Sequence, residues 1–230
     1  MALCAAAEAK SGAGAAGPDQ LCLSLAQLVG AMVGARCFLR YRASVLEERL
    51  PPRQTWVPRP IVYDVGPVPK VDLSNFRLEL FGEVENPLEL SWEGVLALPQ
   101  VAVTCDFHCV TGWSVKDLAW EGVPARTIVE LVRPKTDVAW VMAHGREGYT
   151  ANVPYEHFSR EGGLLALRLC GEPLTPENGH PLRLVIPSLY AWKSVKYLVG
   201  LEFLVGLRRG YWETRGYHSA GDPWREERFA

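Results

Sequence analysis

The chain has 230 residues, 48% hydrophobic and 22% charged, which is enough apolar content for one sizeable core and too much for a disordered polymer. With 24 basic and 26 acidic residues the net charge is −2 at pH 7, so no global field draws it to nucleic acid or anionic lipid, and any anion site must be local. The 17 prolines and 21 glycines, without a repeat period, predict many turns and short strands rather than a helical bundle.

Residues 1–50 read as an N-terminal extension, poorly ordered or weakly helical. Met1 to Gln20 is rich in Ala, Gly and Ser. Leu21 to Val33 is apolar but shorter than the about 20 residues a membrane span needs. It also lacks the basic lead of a signal peptide, because Glu8 and Asp19 offset Lys10. A weak anchor, a packed helix and an upstream extension outside the working protein are the three readings, and the last is preferred. Pro51, Pro52, Pro58 and Pro60 then mark an extended lead-in.

From Phe76 the residues alternate, with Phe76, Leu78 and Leu80 on one side and Arg77 and Glu79 on the other, which predicts a half-buried strand. Glu85-Asn86-Pro87 turns it, Leu88 and Leu90 begin a return strand, and Ser91 caps a short helix that Pro99 stops. Val101 to Phe107 is a strand that carries Cys109 at its end. Pro124 opens a helix over Arg126 to Val132 as its first residue. Strands are predicted over Val138–Ala143, Gly148–Val153, Leu164–Leu169, Leu182–Ile186 and Val195–Leu204, with a helical turn led by Pro154. The fold class is α+β with mainly antiparallel or mixed sheets and short helices. A doubly wound nucleotide fold is disfavoured for want of a GxGxxG or GxxxxGK[ST] turn.

Six cysteines stand at 4, 22, 37, 105, 109 and 170, with no CxxC, CxxCH or Cys/His zinc spacing. Reduced thiols and a cytoplasmic location are expected. Cys109 is the exception to an ordinary packing role: it follows the polar run Thr104-Cys105-Asp106 and His108, and precedes the turn Thr111-Gly112-Trp113-Ser114. A thiol there suits a soft-metal ligand or a nucleophile. In an extended strand His108 and Cys109 point to opposite faces, which favours the ligand. Cys105 shares the parity of Cys109. His144, at a strand end before Gly145-Arg146-Glu147-Gly148, can face a cavity mouth. Asn178-Gly179, Arg183, Ser194-Val195-Lys196 and Lys193 supply amide and cationic groups for an anionic cofactor, although alternation with Leu182, Leu184 and Ile186 would turn Arg183 outward. The tail from Tyr211-Trp212 to Trp224 reads as an aromatic cover.

From about Pro60 to Trp224 the chain resembles the sulfite oxidase-type molybdopterin domain, in particular the small haem-free branch related to the methionine-sulfoxide reductase catalytic subunit. The strings that carry the resemblance are Gly66-Pro67-Val68-Pro69, Phe81-Gly82-Glu83-Val84-Glu85-Asn86-Pro87, Asp106 through Ser114, Asn178 through Pro187, Tyr190 through Lys196 and Arg215-Gly216-Tyr217-His218. It implies a molybdopterin-binding oxidoreductase domain over residues 51–230, a sulfite oxidase catalytic-domain-like fold, and oxygen-atom transfer on a small S-oxo, N-oxo or sulfite-like substrate. Cys109 would ligate molybdenum. Tyr63, Asp64, His144, Asn178, Arg183, Ser194, Val195 and Lys196 would contact the molybdopterin, while His108 and His144 would be proton donors or hydrogen-bond partners near the metal. His144 stands where the family has a threonine, and Pro60 where it has an asparagine. Electrons are expected from a separate partner, since no haem motif is present; neither nucleic acid nor a membrane is an expected partner. A pterin-binding module without turnover, and a cysteine hydrolase pairing Cys109 with His144, are the alternatives.

Overall fold

The computed structural model describes residues 41–42 and 49–230, all within one compact unit. The expectations for Met1 to Val33 lie outside the described residues. Residues 41–42, assigned to the extension, form a short strand, β1 (Tyr41–Arg42), parallel to the strand that carries the thiol. No described helix is long and apolar enough to cross a membrane.

The described strands build two sheets. The first takes in β1, β2 (Thr55–Trp56), β5 (Val101–His108), β6 (Trp113–Pro124), β9 (Leu164–Leu169), β10 (Glu172–Pro173) and β11 (Arg183–Val185). Its main path runs β1-β5-β6-β9-β10, with β2 against β6 and β11 against β9. The second sheet is ordered β4-β3-β12-β7-β8, from β3 (Arg77–Gly82), β4 (Leu88–Ser91), β7 (Trp140–Gly145), β8 (Thr150–Pro154) and β12 (Leu198–Leu204). Among the described residues three short α-helices accompany them: α1 (Trp92–Ala97), α2 (Ala125–Val132) and α3 (Tyr155–Ser159). This is the mixed α+β arrangement that the pattern predicts.

The β3–β4 hairpin follows its alternation, with Phe76, Leu78 and Leu80 buried at 0–1% exposure and Leu80 opposite Leu88. Ser91 caps α1 by accepting from Gly94 N at 3.2 Å. Pro124 ends β6 and caps α2 from outside the helix, a one-residue difference from the expected first position. The main core lies between the sheets, and a second cluster gathers Val103, Phe107, Cys109, Trp113 and Trp120 on one face of β5 and β6.

Strand β6, twelve residues long, is not in the sequence-based reading. Its alternation changes phase at Lys116-Asp117. Two residues there face the single Asp106 of β5, between the pairs Cys105↔Leu118 and Phe107↔Val115. Asp117 takes φ +52° at this bulge, and its N–H donates to Asp106 Oδ1 at 3.0 Å. Trp113 and Val115 therefore share a face with Leu118 and Trp120 although their sequence parity differs.

Candidate active site

Cys109 leaves β5 into a tight turn. Its N–H donates to Trp113 O at 2.8 Å and its carbonyl accepts from Gly112 N at 3.0 Å. Gly112 takes φ +100°, a conformation that glycine adopts without a Cβ clash. Gln54 braces the turn from β2's side, its Nε2 donating to Cys109 O at 3.0 Å. Ser114 Oγ donates to Gln54 Oε1 at 3.1 Å and lies 2.8 Å from His108 Nδ1. The serine has one proton, already committed to Gln54, so His108 donates from Nδ1. Burial pushes His108 down to about 4, against the opposing charge of Asp106, and the ring is neutral. His108 is thus a brace on the far side of the strand from Cys109. The expected proton-moving role is corrected here, because the ring opens on no part of the cavity that Cys109 lines.

That cavity has a volume of about 580 Å³, in the range of small-molecule sites. The strap Pro60–Pro69 and the 3-10 turn ending at Asn178 form one side, the Cys109 turn its floor, and Tyr211, Trp212 and Tyr217 of the tail another wall. Cys109 is 6% exposed; burial pushes its thiol up, partly offset by a hydrogen bond from Thr111 Oγ1 at 3.2 Å and the charge of Arg228. Tyr63, Asp64, Asn178, Arg183, Ser194 and Lys196 line the same space. Val195 does not: its side chain is 1% exposed in the main core, while its carbonyl accepts from Leu184 N at 2.8 Å. Cys105 packs in the Cys109 cluster without reaching the cavity, and burial pushes its thiol up to about 12.

Arg183 defines the electrostatics. Alternation turns it away from the main core as expected, but that face is covered, and Arg183 is 7% exposed. Its Nη1 donates to Asn178 O at 3.1 Å and its Nη2 to Ser194 O at 3.0 Å, and the guanidinium lies over Trp120 and Phe107 at 5.1 and 5.7 Å. Nε has no partner, and no described carboxylate lies within salt-bridge distance. Burial pushes this guanidinium down to about 10. A buried cation without an acid partner is costly unless an anion arrives with a ligand. Trp113 Nε1, also buried at the cavity, likewise has no acceptor.

Lys196 is already engaged: Nζ donates to Tyr63 O and Glu177 O, each at 2.9 Å, and to Asp64 Oδ1. It ties the strap to the 3-10 turn. Lys193, expected on the same side, points into the core instead. Its ammonium, at 0% exposure, binds Glu213 Oε1 at 2.6 Å, Ser219 O at 2.6 Å and Asn152 O at 2.7 Å. Trp192 Nε1 donates to the same Glu213 oxygen at 3.0 Å, which fixes the tail against the cavity wall.

His144 does not meet Cys109. The register of β7 places it on the outer face of the second sheet, in a separate cleft with Phe81, Arg77 and Gly200. Its Nε2 lies 3.0 Å from Glu202 Oε2, and Arg208 grips that carboxylate with both Nη atoms. The Cys109–His144 pair needed by a hydrolase is absent from this geometry. Gln54, Trp113, Arg146 and Glu213 were not in the sequence-based set. Trp113, in the turn after Cys109, and Arg146, in the turn between Gly145 and Gly148, carried a local signal.

A family model described as an oxidoreductase molybdopterin binding domain matches residues 65–212. The chain belongs to this family. It is 44% identical over 193 residues to the oxidoreductase YuiH of Bacillus subtilis, across 84% of this chain and 98% of that one. To the protein-methionine-sulfoxide reductase catalytic subunit MsrP of Campylobacter jejuni it is 30% identical over 157 residues, across 61% of this chain and 52% of the relative. The sulfane dehydrogenase SoxCD from Paracoccus pantotrophus shares the fold, with a TM-score of 0.55 at 23% identity over 60% of this chain and 40% of that one. The chain therefore spans nearly all of the Bacillus relative but about half of the reductase subunit. The fold is the sulfite oxidase-type α+β fold, and the protein is a molybdopterin-binding oxidoreductase.

The cavity fits that cofactor. Arg183 and Trp113, each with a buried N–H that has no acceptor, line it beside Cys109 and would be the donors for a pterin phosphate. Among the described residues no three His, Cys, Asp or Glu side chains converge on a metal, so a metal at Cys109 would bring its other donors with it, as a dithiolene does.

Proposed function

We propose that the protein is a molybdenum-molybdopterin oxidoreductase that transfers an oxygen atom to or from an S-oxo, N-oxo or sulfite-like substrate, with electrons exchanged through a separate protein partner. The observation that carries the reading is that Cys109 lines the same cavity as the Arg183 guanidinium, which has no salt-bridge partner among the described residues. Bound there, the cofactor supplies two-electron oxygen-atom chemistry, and the protein supplies the site for it.

Cys109 offers the thiolate ligand, held at a fixed height by Gln54 and the Gly112 turn. Arg183 and Trp113 would donate to the anionic end of the cofactor. Lys196 keeps the strap seated over it through Asp64 and Tyr63, an indirect role beside the direct contact expected from the sequence. The tail rings Tyr211, Trp212 and Tyr217 exclude water from the remaining volume and leave an apolar wall for the substrate. Neither imidazole serves as a proton donor, since His108 is buried behind the strand and His144 lies in the other cleft.

The test is dye-linked turnover by protein made in a cofactor-competent host, with dimethyl sulfoxide, an amine N-oxide and sulfite as separate substrates. Turnover of at least one, lost in Cys109→Ser and retained in His144→Ala, is expected. Equal activity in Cys109→Ser would refute the ligand assignment. The absence of paired cysteine spacings and the free thiols Cys105, Cys109 and Cys170 support a reducing, cytoplasmic setting; recovery of the native protein outside the cytoplasm on cell fractionation would overturn that part.

A further inference from the structure

Thr111 does something the family assignment leaves open. The turn from Cys109 to Trp113 is closed by two backbone hydrogen bonds, and Gly112 at φ +100° reverses the chain inside it. This geometry folds the side chain two residues after the thiol back over it. Thr111 Oγ1 comes to 3.2 Å from Cys109 Sγ, with the hydroxyl as donor. Among the described residues it is the one side chain that hydrogen-bonds this sulfur. Thr111 also lines the cavity that Cys109 lines. The first two carbonyls of the turn are braced, Cys109 by Gln54 and Val110 by Arg228 Nη1, which fixes the backbone that carries Thr111.

We infer that Thr111 is a redox-positioning residue: its hydroxyl draws electron density from the Cys109 sulfur and so sets the potential of the metal that this sulfur ligates. The inference rests on the molybdenum-thiolate reading above. The physics is that of any ligating thiolate. A donated hydrogen bond is stronger when the sulfur carries more charge, and the sulfur carries more charge when the metal is reduced. The bond therefore stabilises the reduced state over the oxidised one, and its loss lowers the potential. A bond of this kind acts through the ligand and needs no contact with substrate. Threonine suits the task, since its β-methyl restricts χ1 and holds the hydroxyl over the sulfur, while serine keeps the donor and valine keeps the shape without it.

The experiment uses the full chain loaded with cofactor, as wild type, Thr111→Val and Thr111→Ser. Molybdenum is quantified per chain, near-ultraviolet circular dichroism checks packing, and the one-electron midpoint potential is measured by dye-mediated titration with paramagnetic resonance detection. Thr111→Val is expected to bind molybdenum like wild type and to shift the reduction equilibrium three- to tenfold toward the oxidised state, about 28 to 59 mV lower for a one-electron couple. Thr111→Ser is expected to return most of that shift. An unchanged potential in a folded, fully loaded Thr111→Val would overturn the inference, as would a Thr111→Ser value matching Thr111→Val. Wild type without molybdenum would instead overturn the functional reading itself, and the inference with it. A turnover change with the potential fixed would mean that the hydroxyl serves the substrate, which also overturns the inference.

Discussion

Replacing Arg183 with Met separates an anion receptor from an internal strut. In the ligand-free protein the buried guanidinium carries a cost: its displacement from 12.5 to about 10 corresponds to about 3 kcal/mol. The side chain recovers some of this through bonds to the Asn178 and Ser194 carbonyls, each worth about 1.5 kcal/mol or somewhat more for a charged donor. Methionine matches the aliphatic stem of Arg183 but lacks the guanidinium carbon that lies over Phe107 and Trp120, and it removes both the cost and the bonds. The two sides nearly cancel, so the ligand-free variant should unfold within about 1.5 kcal/mol of wild type. With cofactor bound, the charge-assisted contact is lost, about 1.5–3 kcal/mol, or roughly ten- to 150-fold in retention. The assay is thermal unfolding of both proteins, loaded and made in a cofactor-deficient host. The gap between loaded and free midpoints should narrow by roughly 3–12 °C in the variant. An unchanged gap, or a ligand-free variant destabilised by more than about 3 kcal/mol, would show that Arg183 is a strut and not a receptor.

Three further outcomes follow from the packing. Burial works against the Glu202 carboxylate, but Arg208 and His144 outweigh it and hold it below its ordinary 4.5. Its contribution is therefore present above pH 4.5 and lost as pH falls through the lower folded value, so Glu202→Gln should be less stable than wild type at pH 6–7, with the gap closing below 4.5 in urea titrations; a pH-independent gap would contradict this. A Cβ on Gly122 would stand 2.1 Å from Leu165 O across the β6–β9 pair, so Gly122→Ala should cost about 3 kcal/mol or more, whereas Gly66→Ala, with open space around it, should stay within about 0.5 kcal/mol by chemical denaturation. Equal effects at the two glycines would refute the clash argument. Glu213→Gln leaves the Lys193 ammonium buried without its carboxylate and should cost about 3–5 kcal/mol, releasing the tail to protease before the core; a loss under about 1 kcal/mol would mean that the backbone carbonyls suffice.

Local pattern explains which parts of this molecule were legible. The β3–β4 hairpin and the Ser91 cap are written in neighbouring residues, because one face of that hairpin meets the core and its period shows. Strand β6 was illegible because the bulge at Lys116-Asp117 shifts its period halfway, and only the pairing with Asp106 reveals it. Alternation alone turns Arg183 outward, because it cannot tell a solvent face from one covered by distant chain. His144 and Cys109 were grouped by chemistry, and the register of β7 against β12 separates them. Gln54 lies 55 residues from the carbonyl it braces, and no local signal marks it. Lys193 and Lys196 differ because a single 3-10 turn ends between them, so their side chains diverge. The cofactor set was legible through the resemblance of whole strings, and spacing alone would not have selected it.

The central claim is that one thiolate, Cys109, holds molybdenum in this cavity. The most direct measurement is molybdenum per chain, by mass-spectrometric elemental analysis, of wild type and Cys109→Ser made side by side in a cofactor-competent host. The account predicts close to one equivalent in wild type and a marked loss in a variant that stays folded, because serine replaces a side chain whose one polar bond is to Thr111. Molybdenum retained in full by Cys109→Ser would contradict it, and so would a folded wild type that carries neither molybdenum nor pterin.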